Sequence, residues 1–258
     1  MSRELVGKRA LVTGGGRGIG EEVSRLLARR GAVVVVNDVD ADQASRVADD
    51  LGSGGYPAHA MPGDISTWPG AEAVIEGAVS LTGGLDILIN NAGAMDRAFV
   101  EEMDPGDWRR IMSVNLDGTF YCCRAVIPVM KDNGWGRIVN ASSMYGIVPE
   151  VGRAHYCVSK AAVVTFTRVL AAEVAKYGIT VNAYAPGTIN TRMAADAISN
   201  RAEEKLRAIP VRRFGTVSDV AELIGFICSP RADYITGAVF QVDGGVLSVQ
   251  SPWKARPA

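Results

Sequence analysis

Short β-branched runs alternate with longer amphipathic segments along nearly the whole chain, and no other feature limits the fold as strongly. Strand-like runs occupy residues 10–13, 33–37, 57–61, 87–90, 137–141, 180–185 and 239–242. Several are apolar throughout, as strands covered on both faces are. Helix-like segments lie between most of them, at 18–30, 41–51, 67–81, Pro105–Lys131, Arg153–Tyr177 and 218–228. Asp104 before Pro105 reads as an N-cap followed by proline at the first helical position. Ser218 is placed to cap the last helix in the same way. Gly31 and Gly178 fall just past helix ends, where a left-handed residue is common. This alternation calls for right-handed βαβ crossovers. The predicted fold is α/β, a doubly wound parallel sheet of about seven strands with helices on both faces. With no linker, repeat or low-complexity break, residues 1–258 read as a single domain.

Composition narrows the function. Lys and Arg total 27 against 28 Asp and Glu, for a net charge of −1. That balance argues against binding nucleic acid or an anionic membrane surface. No apolar run approaches the roughly 18–20 residues of a membrane span. Arg3, Glu4, Lys8 and Arg9 interrupt any apolar start, so no secretory signal is expected. Cys122, Cys123, Cys157 and Cys228 show no C-x-x-C and no zinc spacing. Reduced thiols in a cytoplasmic protein are the plain expectation. Two histidines, His59 and His155, leave little material for a histidine metal site, and none is predicted.

The first strand runs into Thr13-Gly14-Gly15-Gly16-Arg17-Gly18-Ile19-Gly20, and a helix follows. Glycines there permit positive φ and let backbone amides approach a pyrophosphate at a helix N-terminus. The strict G-x-G-x-x-G register fails, because Ile19 falls on its third glycine. What fits is Gly14-x-x-x-Gly18-x-Gly20. The second strand ends at Asp38, whose carboxylate can accept hydrogen bonds from both ribose hydroxyls and would repel a 2′-phosphate. NAD is therefore favoured over NADP, although Arg17 pulls the other way. A Rossmann-type dinucleotide-binding sheet is the expected architecture.

Further motifs stand in order along the chain. Asn90-Asn91-Ala92-Gly93 follows the fourth strand, Tyr156-x-x-x-Lys160 lies in a helical segment, and Ser143 precedes the tyrosine by thirteen residues. Asn115 interrupts a long helical pattern, and Pro186-Gly187 follows the sixth strand. With the glycine turn, these motifs make the chain resemble the short-chain dehydrogenase/reductase family in its compact branch, from Leu5 to about Leu247.

Hydride transfer between a carbinol and a nicotinamide needs a group that handles the hydroxyl proton. Tyr156 and Lys160, four apart on a helix, share a face. A free tyrosine titrates near 10, and a neighbouring ammonium favours tyrosinate. The resemblance implies Tyr156 as general acid/base and Lys160 as the residue that lowers its pKa while binding the nicotinamide ribose. It implies Ser143 as the hydrogen-bond donor to the substrate oxygen, and Asn115 as the seat of a relay water leading from Lys160 to solvent. Ser142 is the competing serine; spacing favours Ser143. By the same match Asn91, Ala92 and Gly93 line the adenosine-ribose side, and Asp64, with Ile65, faces the adenine. Pro186, Gly187, Ile189 and Thr191 wrap the nicotinamide carboxamide and phosphates. Asp243-Gly244-Gly245 is a structural turn. His155 is read as a packing or interface residue, and Glu150 as a solvated loop acid rather than a contact to a polar substrate group.

Specificity is expected in 94–97, in 144–151 and in a substrate lid at 188–215 whose residues Met193, Ala194, Ala195, Ile198, Leu206 and Ile209 form an amphipathic pattern. Met95, Tyr145, Val151 and Met193 are the candidate substrate contacts, and with Val148 they suggest an apolar pocket. Pro105–Lys131 and Arg153–Tyr177 are apolar on more than one face, which predicts burial on two sides and a homo-oligomer; the resemblance implies a homotetramer. The tail 248–258 is read either as loose or as packed on a neighbour. The leading expectation is an NAD-dependent secondary-alcohol dehydrogenase or carbonyl reductase acting on an apolar or cyclic small molecule. The alternatives are a 3-oxoacyl-thioester reductase, an idle nucleotide sensor, and a sugar epimerase or dehydratase. The intact Asn115–Ser143–Tyr156–Lys160 set disfavours the sensor, and the short chain disfavours the epimerase.

Overall fold

The computed structural model describes residues 3–249; of the side chains of residues 194–201, and of residues 250–258 in the predicted tail, nothing is said. Seven parallel strands form one sheet in the order β3-β2-β1-β4-β5-β6-β7. They are β1 (Arg9–Val12), β2 (Val33–Val36), β3 (Ala58–Ala60), β4 (Ile87–Asn90), β5 (Gly136–Ala141), β6 (Ile179–Pro186) and β7 (Val239–Val242). All seven fall within the predicted runs or within one residue of them.

Alternation along the strands splits the core into two layers. Ala10, Val12, Ile87 and Ile89 point to one face, with Val23, Leu26 and Leu27 of α1 (Gly18–Arg29), Val47 of α2 (Ala41–Ser53) and Ile224 of α8 (Val217–Ile227). Leu11, Leu88, Ile138 and Val181 point to the other. There they meet α3 (Trp68–Thr82), α5 (Gly118–Asn133) and α6 (Ala154–Val174). The period-two pattern is that of a sheet covered on both sides.

The predicted helix Pro105–Lys131 is broken. α4 (Pro105–Met112) passes through a π turn at Ser113–Asp117 before α5 begins. Asn115, a poor helix former, sits in that turn and its side chain leaves the helix to bond Ala94. The cap of α8 is also displaced. Thr216, not Ser218, accepts from the Asp219 amide, and Asp219 reaches back to the Thr216 amide in a capping box. Asp104 caps α4 as predicted, and Gly31 and Gly178 adopt φ +102° and +73°. α7 (Ala195–Ala208) forms within the predicted lid.

The strand order reverses between β2 and β4, on either side of β1. The crevice beyond the carboxyl ends of β1 and β4 is where such sheets bind ligands. The glycine turn and Asn91–Gly93 meet there. Among the described residues no helix is long and apolar enough to cross a membrane.

Candidate active site

The turn from β1 to α1 works because its glycines differ in what they do. Gly14 and Gly18 hold φ +59° and +57°, which side chains rarely adopt. A methyl group on Gly20 would overlap the Gly14 carbonyl. Asn91 braces the turn: its Nδ2 donates to the Thr13 and Gly14 carbonyls, both at 3.0 Å, and its Oδ1 accepts from the Tyr184 hydroxyl at 2.9 Å. Thr13 Oγ1 accepts from the amides of Asn91 and Ala92. Arg17 is exposed at the N-terminus of α1 and makes no side-chain cap, while Ile19 packs on the core.

Asp38 is 4% exposed, and each carboxylate oxygen takes one backbone amide, Gly16 and Asp40, both at 3.1 Å. It is not the cap of α2; Asp40 is, through the Gln43 amide at 3.2 Å. Arg46 lies beside the same turn and was not anticipated. It donates to the Gly16 carbonyl at 2.8 Å and is paired with Glu21. Asp64 is exposed and accepts from the Ser66 amide at 2.9 Å. Ile65 is buried against Gly118, turned into the core beneath the crevice.

Ser143 after β5, Asn115 in the π turn, and Tyr156 and Lys160 on α6 come from three segments and converge near Gly93. The end of β5 is tied to α6 by Ser142, whose Oγ donates to the Lys160 carbonyl at 2.9 Å. Ser142 is thus taken up by the α6 backbone, and the serine hydroxyl that meets Tyr156 is that of Ser143. Ser143 accepts from the Tyr145 amide at 3.2 Å and faces the Tyr156 hydroxyl. Lys160 Nζ donates to the Ala141 carbonyl at 2.8 Å. Asn115 Oδ1 accepts from the Ala94 amide at 2.8 Å, and its Nδ2 donates to the Ala94 carbonyl at 2.9 Å and to Ser159 Oγ at 3.0 Å. Ser159, which in turn donates to the Tyr156 carbonyl, was missed by the sequence reading. A Cβ on Gly93 would lie 3.3 Å from Asn115 Oδ1 and 3.4 Å from Lys160 Nζ, so its absence leaves a gap between the two polar atoms.

The electrostatics differ from expectation. Burial pushes Tyr156 above the ordinary tyrosine value; the Ser143 hydroxyl and then the Arg153 cation pull the other way. Burial also lowers Lys160, to about 8. In the chain alone, desolvation outweighs the stabilisation of tyrosinate that the Tyr-x-x-x-Lys pair suggests.

The third wall is the segment after β6. Gly187 packs on the backbone of Asp243, 2.8 Å from where its Cβ would stand, next to Pro186 at the end of β6. Asp243 accepts from the amides of Gly245 and Leu247, the predicted structural turn. Ile189 is buried and pairs with Gly215 as an isolated parallel bridge, so both stems of 188–215 are fastened together. Thr191 faces Gly18: a Cβ there would meet only the threonine side chain, at 3.7 Å. The result is a trough lined by backbone at the N-terminus of α1, a shape and polarity that fit a diphosphate. Of the lid pattern, Ile209 is buried and Met193 is exposed; the side chains of Ala194, Ala195 and Ile198 lie outside the described residues.

The substrate side is less apolar than predicted. Met95 and Tyr145 are half-buried, and Val148, Val151 and Met193 are exposed. Glu150 is not a free loop acid: its Oε2 accepts from Arg153 Nε at 2.6 Å. Its carboxylate also faces Tyr145, whose hydroxyl is pushed up to about 12, first by burial and then by that negative charge. His155 packs as expected, wholly buried, with Nδ1 accepting from the Tyr156 amide at 2.9 Å.

Comparison with known proteins agrees with this geometry. The family model described as enoyl-(acyl carrier protein) reductase matches residues 14–247. A 3-oxoacyl-[acyl-carrier-protein] reductase from Aquifex aeolicus is 38% identical over 250 residues, 96% of this chain and 100% of that one. A 2-(S)-hydroxypropyl-CoM dehydrogenase from Xanthobacter autotrophicus is 36% identical, covering 96% of this chain and 100% of that one. The crystal structure of a gluconate 5-dehydrogenase from Burkholderia cenocepacia, in complex with NADP and tartrate, matches with a TM-score of 0.93 at 34% identity, over 96% of this chain and 98% of that one. The chain belongs to the short-chain dehydrogenase/reductase family of nicotinamide-dependent oxidoreductases.

Proposed function

We propose that this oxidoreductase interconverts a 3-oxoacyl thioester and its 3-hydroxy form, with NAD(H) as the preferred cofactor and Tyr156 as the general acid/base. The convergence of Ser143, Tyr156, Lys160 and Asn115 beside the glycine turn carries the reading. The dinucleotide supplies or accepts the hydride. In reduction, the Tyr156 hydroxyl gives its proton to the developing alkoxide, and Ser143 donates a hydrogen bond to the same oxygen. In oxidation both steps reverse, and Lys160 stabilises the tyrosinate. Asn115 and Lys160 both stand over Gly93, which supports a path between them for returning the proton to solvent. Gly14, Gly18 and Gly20 let the backbone approach the diphosphate, with Arg17 at the rim. Thr191, Ile189, Gly187 and Pro186 would hold the nicotinamide half, and Asn91, Ala92, Gly93 and Asp64 the adenosine half, with Ile65 supporting that side from the core.

The thioester class is supported by the Aquifex relative, and it replaces the free apolar alcohol as the first reading of the substrate. A free hydroxy acid or alcohol is the second reading. It is supported by the likeness to the gluconate 5-dehydrogenase and by the Glu150–Arg153–Tyr145 polar wall. The NADP of that neighbour pulls against NAD. We favour NAD because the buried Asp38 carboxylate stands at the ribose end of the turn and Arg46 is occupied by Glu21. Four buried, unpaired cysteines support a reducing compartment such as the cytoplasm. The exposed apolar surface of α4, α5 and α6 supports a homotetramer.

The test is oxidation of NADH and NADPH in parallel, with 3-oxoacyl thioesters, free ketones and keto acids. Thioester turnover with NADH ahead of NADPH is expected. Turnover confined to free substrates overturns the thioester, and turnover confined to NADPH overturns the role of Asp38.

A further inference from the structure

The loop between β5 and α6 carries charges for which the reaction proposed above has no use. Arg153 directly precedes α6, three residues before Tyr156. Its side chain is only 11% exposed. Nε donates to Glu150 Oε2 at 2.6 Å, and the guanidinium lies over the Tyr145 ring, 5.6 Å from its centroid. Tyr145 in turn faces both Glu150 and Tyr156. The backbone holds this group in place from the other side. Ala98 and Arg153 form an isolated bridge, the Ala98 amide donates to the Gly152 carbonyl at 3.0 Å, and Gly152 adopts φ +77° beneath Arg97. A pair so fixed differs from the mobile ion pairs of an exposed surface.

We propose that Arg153 and Glu150 act together as positioning residues of opposite sign for Tyr156, the cation favouring its ionised form and the carboxylate limiting that effect. This rests on the reading of Tyr156 as the proton-handling group. The groups that face Tyr156 are Ser143 beyond β5, Tyr145 in the loop, Arg153, Cys157 and Lys160 at the start of α6, and Tyr184 on β6. His155 touches only its amide. Two of these groups are cations. Lys160 is lowered to about 8 by burial, so its charge fades in the range where a tyrosine begins to ionise. A guanidinium keeps its charge throughout. Arg153 is therefore the cation that persists, and Glu150 at 2.6 Å cancels much of its field. Removing either partner releases the other.

The experiment is an ultraviolet tyrosinate titration of the full-length protein, as the difference between each protein and its Tyr156→Phe counterpart, with and without bound NADH. It needs no substrate. Arg153→Met is expected to raise the Tyr156 midpoint and Glu150→Gln to lower it, each by roughly half to one pH unit. Arg153→Lys should keep most of the parent value. The acid limb of kcat/KM in the oxidation direction should move with the midpoints. Should Arg153→Met fail to fold, the Glu150→Gln and Arg153→Lys proteins still decide the matter. Shifts of the same sign in Arg153→Met and Glu150→Gln, or no shift in Glu150→Gln, overturn the proposal. Opposed shifts in the titration that the kinetic profiles do not follow would uphold the electrostatic pairing and refute Tyr156 as the general base.

Discussion

The Asp38 carboxylate accepts a hydrogen bond from the Gly16 amide at 3.1 Å, joining the end of β2 to the glycine turn. The acid proposed to choose the cofactor is thus also a brace for the loop proposed to bind it. The two roles separate by mutation. Asp38→Asn removes the charge and keeps one of the two acceptors; Asp38→Ala removes both. Asp38→Asn should lower the NADH-over-NADPH binding ratio about ten-fold, at a cost in stability of about 1–3 kcal/mol for the amide left unpaired. Asp38→Ala should lose affinity for both cofactors. Fluorescence titration of the two reduced cofactors measures this, and an unchanged ratio in Asp38→Asn would remove Asp38 from cofactor selection.

Two glycines make a matched pair of tests. A Cβ on Gly20 would collide with the Gly14 carbonyl, whereas one on Gly52, near the end of α2, meets nothing within 4 Å. Gly20→Ala should abolish binding of reduced nicotinamide cofactor. Gly52→Ala should bind normally and gain up to about 1 kcal/mol from helix propensity and a less flexible unfolded chain. Cofactor titration and thermal melts on both proteins check the contrast.

The buried position of Lys160 costs stability. Its lysine is lowered from 10.5 to about 8, so keeping it charged in the fold below pH 8 costs about 3 kcal/mol, at ~1.4 kcal/mol per pH unit. The folded state binds fewer protons than the unfolded one between these values. The cost is full below about pH 8 and fades as pH rises toward 10.5. Lys160→Met should therefore melt several degrees higher than the parent at about pH 7, less so at about pH 9.5, and be inactive. A lower melting temperature at pH 7 would contradict this.

How much of this was legible in the residues depends on how local the information is. Strands such as 87–90 and 239–242 could be read to the residue because period and β-branching act within one element. The motifs of the candidate site, Gly14–Gly20 and Tyr156–Lys160, could be read because each lies within one turn or helix. The break in Pro105–Lys131 was visible only as an asparagine in the wrong place; the π turn and the bond to Ala94 depend on a segment 21 residues away. Ser218 and Thr216 are both plausible caps, and the Asp219 side chain decided between them. The Arg153–Glu150–Tyr145 wall was not legible, because valines 148 and 151 dominate that stretch while the charged groups fold back over it. Nor was the double duty of Asp38 or Asn91, since each bonds a turn distant in sequence.

The apolar face left open on the chain predicts its assembly. Trp108 on α4, Phe120 on α5, and Val158 and Val169 on α6 are 38–53% exposed, although α5 and α6 bury their opposite sides on the sheet and α4 turns Ile111 inward. Light scattering at micromolar concentration should give the mass of a tetramer. Val169→Asp should reduce that mass, with its circular dichroism unchanged. A monomeric parent would refute the assembly.

The most direct test of the account is the steady-state rate of Tyr156→Phe beside the parent, with NADH saturating and a 3-oxoacyl thioester varied. The phenylalanine keeps the ring and removes only the hydroxyl that faces Ser143. In Tyr156→Phe kcat should fall by roughly 10²–10⁴-fold, with NADH affinity within about two-fold of the parent. A variant that keeps parental kcat would contradict it.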